Sequence, residues 1–565
     1  MTDNHEQVSE RVGMVLGTED ATPLTFWVGV APESYLQLDD AVIVDTEVPG
    51  KGPLRIAGIV QDVRARHEGA QFDSDVFLVD RGVLPVETAV AAQVVATRFE
   101  PEIFVPPMPG LQAYRARGKD RDEAMYFDQM ERRIPAGLSR DGEPVFLDLD
   151  FLDGSRGAHV NISGVSGVAT KTTYALFLLY ALFHSPVLGS YRTNTKAIVF
   201  NVKGEDLMWL DKPNARLSER DREDYERLGI PVGAFESVGL WAPVRFGTGG
   251  QAIPQVESRS EGVTAYYWTV REFIREGFLR FMFAEAEDER SQIADLVARV
   301  ESYLNRECED DPDHDATVVL HGQAVRSFEE LCETITMNVE DDGSPWRGRV
   351  SDATVAAFAR RLDAARFRMG HLIWGREAEN AAAHRIDWEA NQVTVVDIHG
   401  LHDKAKRFVT GVMVKRLFEH KERMGRREPL AFLVLDELNR YAPREGWSPI
   451  KEVLLDVAER GRSLGMILVG AEQTASEVER RIIANSAFRV VGRLDTAEAA
   501  RSEYGFMPAV TRARASILKP GSMILQQPHI PIPIQVRFPF PSWATRSDEA
   551  AAPAGGDAFK AFEGE

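Results

Sequence analysis

Cysteine is nearly absent: Cys308 and Cys332 are the two in 565 residues. Two thiols build neither a zinc-type ligand set nor a disulfide framework, which excludes cysteine-stapled classes and fits a reducing, cytoplasmic setting. Long apolar runs are missing as well. The longest, Tyr174 to Phe183, is ten residues, and a membrane-spanning helix needs about 20, so no membrane partner is expected. The opening "MTDNHEQVSER" is polar and carries no apolar signal core. Positive charge is also scarce, with 66 Lys+Arg against 87 Asp+Glu and a net charge of −21. That balance opposes a protein that coats nucleic acid, because phosphate contacts need local positive charge. It does not oppose one that holds DNA at a few loops inside a channel.

What is present is a globular composition, 44% hydrophobic and 27% charged, in a chain long enough for two or three domains. Residues 11–100 read as all-β. "RVGMVLG", "TFWVGV", "DDAVIV", "RIAGIVQDV" and "SDVFLVD" are short β-rich runs broken by turn residues, the pattern of a small barrel. "FVPPMPG" follows as a proline-stiffened linker. From Val145 onward "HVNIS", "AIVFNV", "VTVVDI", "AFLVLDE" and "GMILVGAEQ" are continuous apolar runs. Strands without alternation are buried on both faces, which predicts an α/β fold with a parallel sheet between helices. The boundaries that follow are a barrel at 1–105, a linker at 106–144, core segments at 145–254 and 391–540, a helical insertion at 255–390 and a disordered tail at 541–565. The insertion includes "ECEDDPDHD", six acids in nine residues, read as a solvated loop.

"HVNISGVSGVATKTTYALFLLYALF" has the outline of a phosphate loop: strand, Gly-Ser-Thr loop, Lys-Thr, apolar helix. In such a loop, G-x-x-x-x-G-K-[ST], backbone N–H groups surround phosphates, the Lys reaches their oxygens and the hydroxyl holds Mg²⁺. Gly164, Gly167, Lys171 and Thr172 are in place, but Gly164 precedes Lys171 by seven residues instead of six. Thr170 stands where a glycine normally precedes the Lys, and a β-branched residue resists the torsions a glycine allows. On this stretch alone, a nucleotide loop and a Gly-rich turn with an incidental Lys both stay open.

"PLAFLVLDELNR" ends an apolar strand in Asp436-Glu437. Phosphoryl transfer to water uses such a pair, an Asp for the Mg²⁺ and a Glu to orient the attacking water as a general base. Further on, a helix carries Arg460 and Arg462, a strand follows, and Gln473 sits just past its end. The carboxyl end of a parallel strand is the ligand edge of the sheet, so Gln473 is a candidate to sense a terminal phosphate, with an ordinary strand-end cap as the alternative. The arginines are candidates to stabilise its charge, in cis or across a subunit boundary; surface ion pairing is the alternative for each.

The ordered set, barrel, phosphate loop, "VVDIHGL", "LVLDE", "RGRSLGMILVGAEQ", "ANSAFRVVGRLD" and "LKPGSMIL", resembles the HerA branch of the HerA/FtsK ATPases over about residues 10–540. The resemblance implies a RecA-like core with a HAS-type barrel, ATP and Mg²⁺ as cofactors, and a homo-oligomeric ring of six moving double-stranded DNA. It also implies a nuclease or other effector as partner, in DNA end processing or phage defence. By position it assigns Lys171 to the phosphates, with Gly164, Ser166, Gly167, Thr170 and Thr173 in the same loop. Thr172 and Asp436 go to the metal, Glu437 to the water and Gln473 to sensing, although Glu472 stands where Thr is usual. Arg462, or else Arg460, is the arginine supplied to the next subunit, with Asn485 and Arg493 near that interface. A nucleotide-binding scaffold that hydrolyses slowly and gates an effector is the second reading, favoured by the altered loop.

Lys404 to Arg427 holds nine Lys/Arg against two Glu with apolar residues at helical spacing. It reads as an amphipathic helix with a basic outer face, facing phosphates, an acidic neighbour or solvent. Arg360, Arg361, Arg366 and Arg368 form a second cluster with the same choices.

Overall fold

The structure, a computed structural model, describes residues 9–165, 171–245, 250–259, 261–283 and 292–550. It comprises two compact units, one of Met1–Leu149 with Arg489–Arg537 and one of Asp150–Phe488 with Phe538–Glu565.

The first unit holds the predicted barrel. Strands β1 (Glu10–Val15), β2 (Thr25–Val30), β3 (Ala41–Val48), β4 (Gly52–Glu68), β5 (Glu87–Glu100) and β6 (Gln112–Arg115) close in the order β1-β2-β5-β4-β3-β6. Its interior is aliphatic and aromatic, with Val12, Phe26, Val28, Val42, Ile56 and Val94 at 1% exposure or less. Alongside, β7 (Arg133–Leu138) and β8 (Pro144–Asp148) form an antiparallel sheet with β21 (Ser486–Val491), β22 (Ser522–Gln526) and β23 (Ile534–Arg537), in the order β21-β22-β23-β7-β8.

Three sequence expectations change here. The stretch 106–144 is not a plain linker: it supplies β6, which bridges β1 and β3 and so closes the barrel. "SDVFLVD" is not a strand. It forms helical turns at Asp73–Asp75 and Val76–Asp80, because no neighbour pairs with it and the Asp75 carboxylate accepts the N–H groups of Gln71 and Phe72 at 2.9 and 3.0 Å. Residues 489–537 belong to the compact unit of the barrel, not to the core.

The second unit is built on a parallel sheet. Its strands are β9 (Ala158–Ser163), β10 (Lys196–Asn201), β11 (Val238–Pro243), β12 (Val263–Tyr266), β18 (Val393–Asp397), β19 (Ala431–Asp436) and β20 (Met466–Glu472), ordered β12-β11-β18-β10-β19-β20-β9. Each adjacent pair is parallel. Every residue of β9, β18, β19 and β20 is buried, as strands covered on both faces must be. The expected helical insertion contributes β12 to this sheet. It also carries a two-stranded pair, β13 (Trp268–Thr269) with β17 (Ile373–Trp374), and an antiparallel sheet of β14 (Cys308–Asp310), β15 (Val318–Leu320) and β16 (Gln323–Val325). Helices at Gln292–Glu307, Phe328–Glu340 and Asp352–Met369 make up much of the rest.

Of the expected disordered tail, residues 541–550 are ordered, and residues 551–565 lie outside the described residues. Trp543 is fully buried against Tyr180 and Phe235, and the Ala544 and Ala215 N–H groups donate to Lys212 and Glu549 carbonyls at 2.8 and 2.9 Å. Burial of the indole anchors this part of the chain, whereas most of the Ala-Pro-Gly run that suggested disorder lies beyond residue 550. Among the described residues no helix is long and apolar enough to cross a membrane.

The basic helix exists, at Asp403–Met424, but its cations are not one outer stripe. Arg416 is buried and pairs with Glu272 and Glu276 at 3.0 and 2.6 Å. Lys421 is buried too, donating to the Arg427 and Pro429 carbonyls at 2.9 and 2.6 Å, and burial pulls its pKa down to about 8. In the second cluster Arg366 pairs with Glu329 and Asp363.

Candidate nucleotide site at the carboxyl rim of the sheet

The carboxyl ends of β9, β20, β19 and β10 lie side by side and deliver Gly164, Glu472, Asp436 and Lys203 to one rim. This is the edge at which open α/β sheets bind ligands. The strand order matters: β20 is inserted between the phosphate-loop strand β9 and the Asp-Glu strand β19. The helix after β9 begins at Lys171 and runs to His184, turning its positive end and unsatisfied N–H groups toward the rim. Ser166, Gly167 and Thr170 lie outside the described residues.

Lys171 is 5% exposed, and its amine donates to the Gly164 carbonyl at 2.7 Å. Burial pulls its pKa below the ordinary lysine value, opposed by Asp436, Glu472 and Glu437 and helped by Lys203. The Thr172 hydroxyl donates to Asp436 Oδ2 at 3.1 Å, joining residues 264 positions apart. Asp436 Oδ1 accepts the Glu437 N–H at 2.8 Å.

Glu437 adopts the left-handed backbone conformation, φ +56°, which costs an ordinary residue about 1–2 kcal/mol. The strain turns the chain sharply off β19 into a short helix, Leu438–Tyr441, and leaves the carboxylate at the rim, 6% exposed. Gly470 on β20 leaves room for the Leu438 side chain after the turn. A Cβ there would meet Leu438 Cδ2 at 2.5 Å. Glu437 Oε1 lies 2.9 Å from Lys203 Nζ and Oε2 lies 2.7 Å from Arg440. Glu472 is fully buried; its carbonyl accepts the Gly164 N–H at 3.1 Å, which places the exposed Gln473, next in the chain, near Gly164. A cleft of about 450 Å³ opens here, lined by Thr172, Thr173, Lys203, Asp436, Trp543 and Arg546, among others.

The donor set suits a magnesium–nucleotide unit: a hydroxyl and a carboxylate oxygen in contact, a lysine at a helix N-terminus and a second carboxylate adjacent. Mg²⁺ is commonly held by one or two carboxylates together with phosphate and water oxygens. The site does not depend on a larger ligand cluster, and among the described residues no group of three or more His, Cys, Asp or Glu could hold a metal.

The rim thus gathers Gly164, Lys171, Thr172, Thr173, Asp436, Glu437 and Gln473. Arg460 and Arg462 are elsewhere. Their helix, Pro449–Leu464, precedes β20 and runs back along it, so both lie at the amino end of a strand roughly 20 Å long. Arg462 donates to the Gly154 and Ser155 carbonyls at 3.1 and 2.9 Å, just before β9, and Gly154 packs against the Arg462 carbonyl so closely that a Cβ would sit at 2.2 Å. Arg460 pairs with Glu422 and Asp456. Neither reaches the rim of its own chain. Asn485 donates to the Arg481 carbonyl at 2.7 Å, and Arg493, in the other compact unit, donates to Ser516 at 3.1 Å.

Lys203 escaped the sequence reading. Its signal is a lysine straight after "AIVFNV", which acquires meaning once β10 is known to lie beside β19.

No protein-family model matches the chain, and no curated protein matches it. Among solved structures it is similar to VirB4 of Thermoanaerobacter pseudethanolicus, at 16% identity over 72% of this chain and 96% of that one, with a TM-score of 0.43. It is also similar to the plasmid coupling protein TrwB in complex with a non-hydrolysable ATP analogue, at 13% identity over 73% and 91%, TM-score 0.43. A third likeness is to the genome packaging NTPase B204 of Sulfolobus turreted icosahedral virus 2, at 12% identity over 26% and 68%, TM-score 0.21.

Proposed function

We propose that the chain is an ATP hydrolase of the HerA branch of the HerA/FtsK ATPases, working as a double-stranded DNA translocase or helicase motor. One observation carries the reading. The Thr172 hydroxyl and the Asp436 carboxylate meet at 3.1 Å from opposite halves of the second unit, with Lys171 buried among the acids beside them. A bound Mg²⁺–ATP unit supplies the reactive phosphate and the charge that neutralises it. Lys171 would bind the phosphate oxygens, and Thr172 and Asp436 would hold the cation. Glu437 orients the attacking water and accepts its proton at a carboxylate oxygen. Gln473 reads the state of the phosphate from the end of β20. The motor assembles as a ring of copies, six by the family pattern, in which Arg462 serves the neighbouring site. It acts in the cytoplasm with a nuclease or other effector, in DNA end processing or phage defence.

The test is the ATPase rate with and without duplex DNA. Strong stimulation that Lys171→Ala reduces at least about a hundredfold, with an unchanged thermal melt, supports the motor. A flat, near-zero rate in an assembled ring supports a slow scaffold that gates an effector. That second reading has its own observation: both oxygens of Glu437 are engaged by cations, and Thr170 occupies the usual glycine position.

A further inference from the structure

The rim holds a cation to which the scheme above gives no part. Lys203 Nζ lies 2.9 Å from Glu437 Oε1 and 3.7 Å from Asp436 Oδ2, touching both carboxylates assigned to water and metal. The turn that presents it is braced. The Asn201 side chain donates to the Gly204 carbonyl at 2.8 Å and to Asp397 at 2.7 Å. The Glu205 carboxylate accepts the N–H groups of Glu257 and Ser258 at 2.8 and 2.6 Å. The Lys203 side chain itself is 46% exposed, so it can swing out while its backbone stays in place.

The carboxylate oxygens can be accounted for one at a time. Asp436 Oδ1 takes the Glu437 N–H, and Oδ2 takes the Thr172 hydroxyl and faces Lys203. Glu437 Oε1 faces Lys203 and Oε2 faces Arg440. Two adjacent carboxylates at 7% and 6% exposure require a counter-charge, since burying them bare is costly. A divalent cation between Thr172 and Asp436 would meet the like charge of Lys203 across a few ångströms. A Glu437 with both oxygens bound to cations is in turn a poor acceptor for a water proton.

We propose that Lys203 is the resident counter-ion of this site: it holds the Asp436–Glu437 pair when no divalent cation is bound, and must leave for one to enter. The inference rests on the nucleotide reading of the site. Cation entry and the freeing of Glu437 Oε1 become one event, which keeps the general base shut off until the site is loaded. Lys203 is therefore a positioning residue, acting through Glu437.

The probe is Mn²⁺ alone, titrated onto the full-length, nucleotide-free chain and followed by electron paramagnetic resonance. Lys203→Met is expected to bind Mn²⁺ about fivefold more tightly than the unaltered chain at low salt, the gap narrowing as salt screens the charge. Lys203→Arg, which keeps the charge, should match the unaltered chain. Lys203→Gln serves as a second neutral variant, and thermal melts confirm folding. If neither neutral variant tightens Mn²⁺ binding while Asp436→Asn abolishes it, the counter-ion role is wrong and the metal site stands. If Asp436→Asn binds Mn²⁺ as well as the unaltered chain, the reading of the site fails, and the role of Lys203 with it.

Discussion

The two ends of the core sheet are held by different forces. At the carboxyl rim, Lys203 and Arg440 pair with Asp436 and Glu437 at short range, and Lys171 sits in the field of Asp436, Glu437 and Glu472, so the arrangement is mostly charge on charge. At the amino rim the exposed Arg460 pairs with Glu422 and Asp456, but the contacts of Arg462 and of the buried His159 are neutral or to backbone. Arg462 is bound by two carbonyls, and His159 spans β9, β20 and the Pro449–Leu464 helix through an accepted Leu468 N–H at 2.9 Å and the Ala458 carbonyl at 3.1 Å. The difference separates residues that can do chemistry on a ligand of their own chain from residues that either hold the fold or act outside it.

Arg462 tests that division most sharply. If the amino rim serves a neighbouring copy, Arg462→Ala should cut turnover about a thousandfold, the scale of an arginine that stabilises transferring phosphate, with ATP binding retained. Mixing Arg462→Ala chains with Lys171→Ala chains should then restore part of the activity, because some interfaces would pair an intact loop with an intact arginine. An amino rim that only holds the fold predicts a lower melting temperature and no recovery on mixing.

Next in size is Glu437→Gln at the opposite rim. The shape is kept and the base is lost, so turnover should fall about a hundredfold or more while a fluorescent ATP analogue binds as before. Equal loss of binding would mean that Glu437 holds the fold or the ligand and does not act on water.

The carboxyl rim was legible where the signal was local. An apolar strand ending in "LDE", or a loop ending in Lys-Thr before an apolar helix, states its own chemistry, and the structure joins the two through Thr172 and Asp436. Continuous apolar runs likewise predicted strands buried on both faces. What could not be read depended on strand order and direction. Lys203 matters because β10 lies beside β19, which no local pattern declares. Arg462 is only eleven positions before Gln473, yet β20 sits between them and sends them to opposite ends of the sheet. In the first unit, β6 is four residues long behind a run of prolines, too short to show a period. "SDVFLVD" has strand composition but no partner, and composition alone does not make a strand.

His159 gives the smallest effect and the one that separates the rims by pH. It is 2% exposed, and burial pulls its pKa from 6.5 down to about 4. Its Nδ1 accepts the Leu468 N–H, so the ring is neutral and its Nε2–H donates to Ala458. The unfolded chain binds a proton near pH 6.5 and the folded chain does not until about pH 4. The unfolded state therefore takes up more protons in that window, and stability rises with pH across it. The contribution is complete above pH 6.5 and is lost as the pH falls toward 4, by about 1.4 kcal/mol for each unit. Between pH 7.5 and 5.5 the unaltered chain should lose about 1.4 kcal/mol more than His159→Gln, which has no titrating ring. Urea unfolding followed by tryptophan fluorescence measures both. Parallel pH profiles for the two chains would show that the buried surroundings of His159 admit charge after all, and that their neutrality is not what distinguishes them from the rim where Lys171 and Glu437 meet.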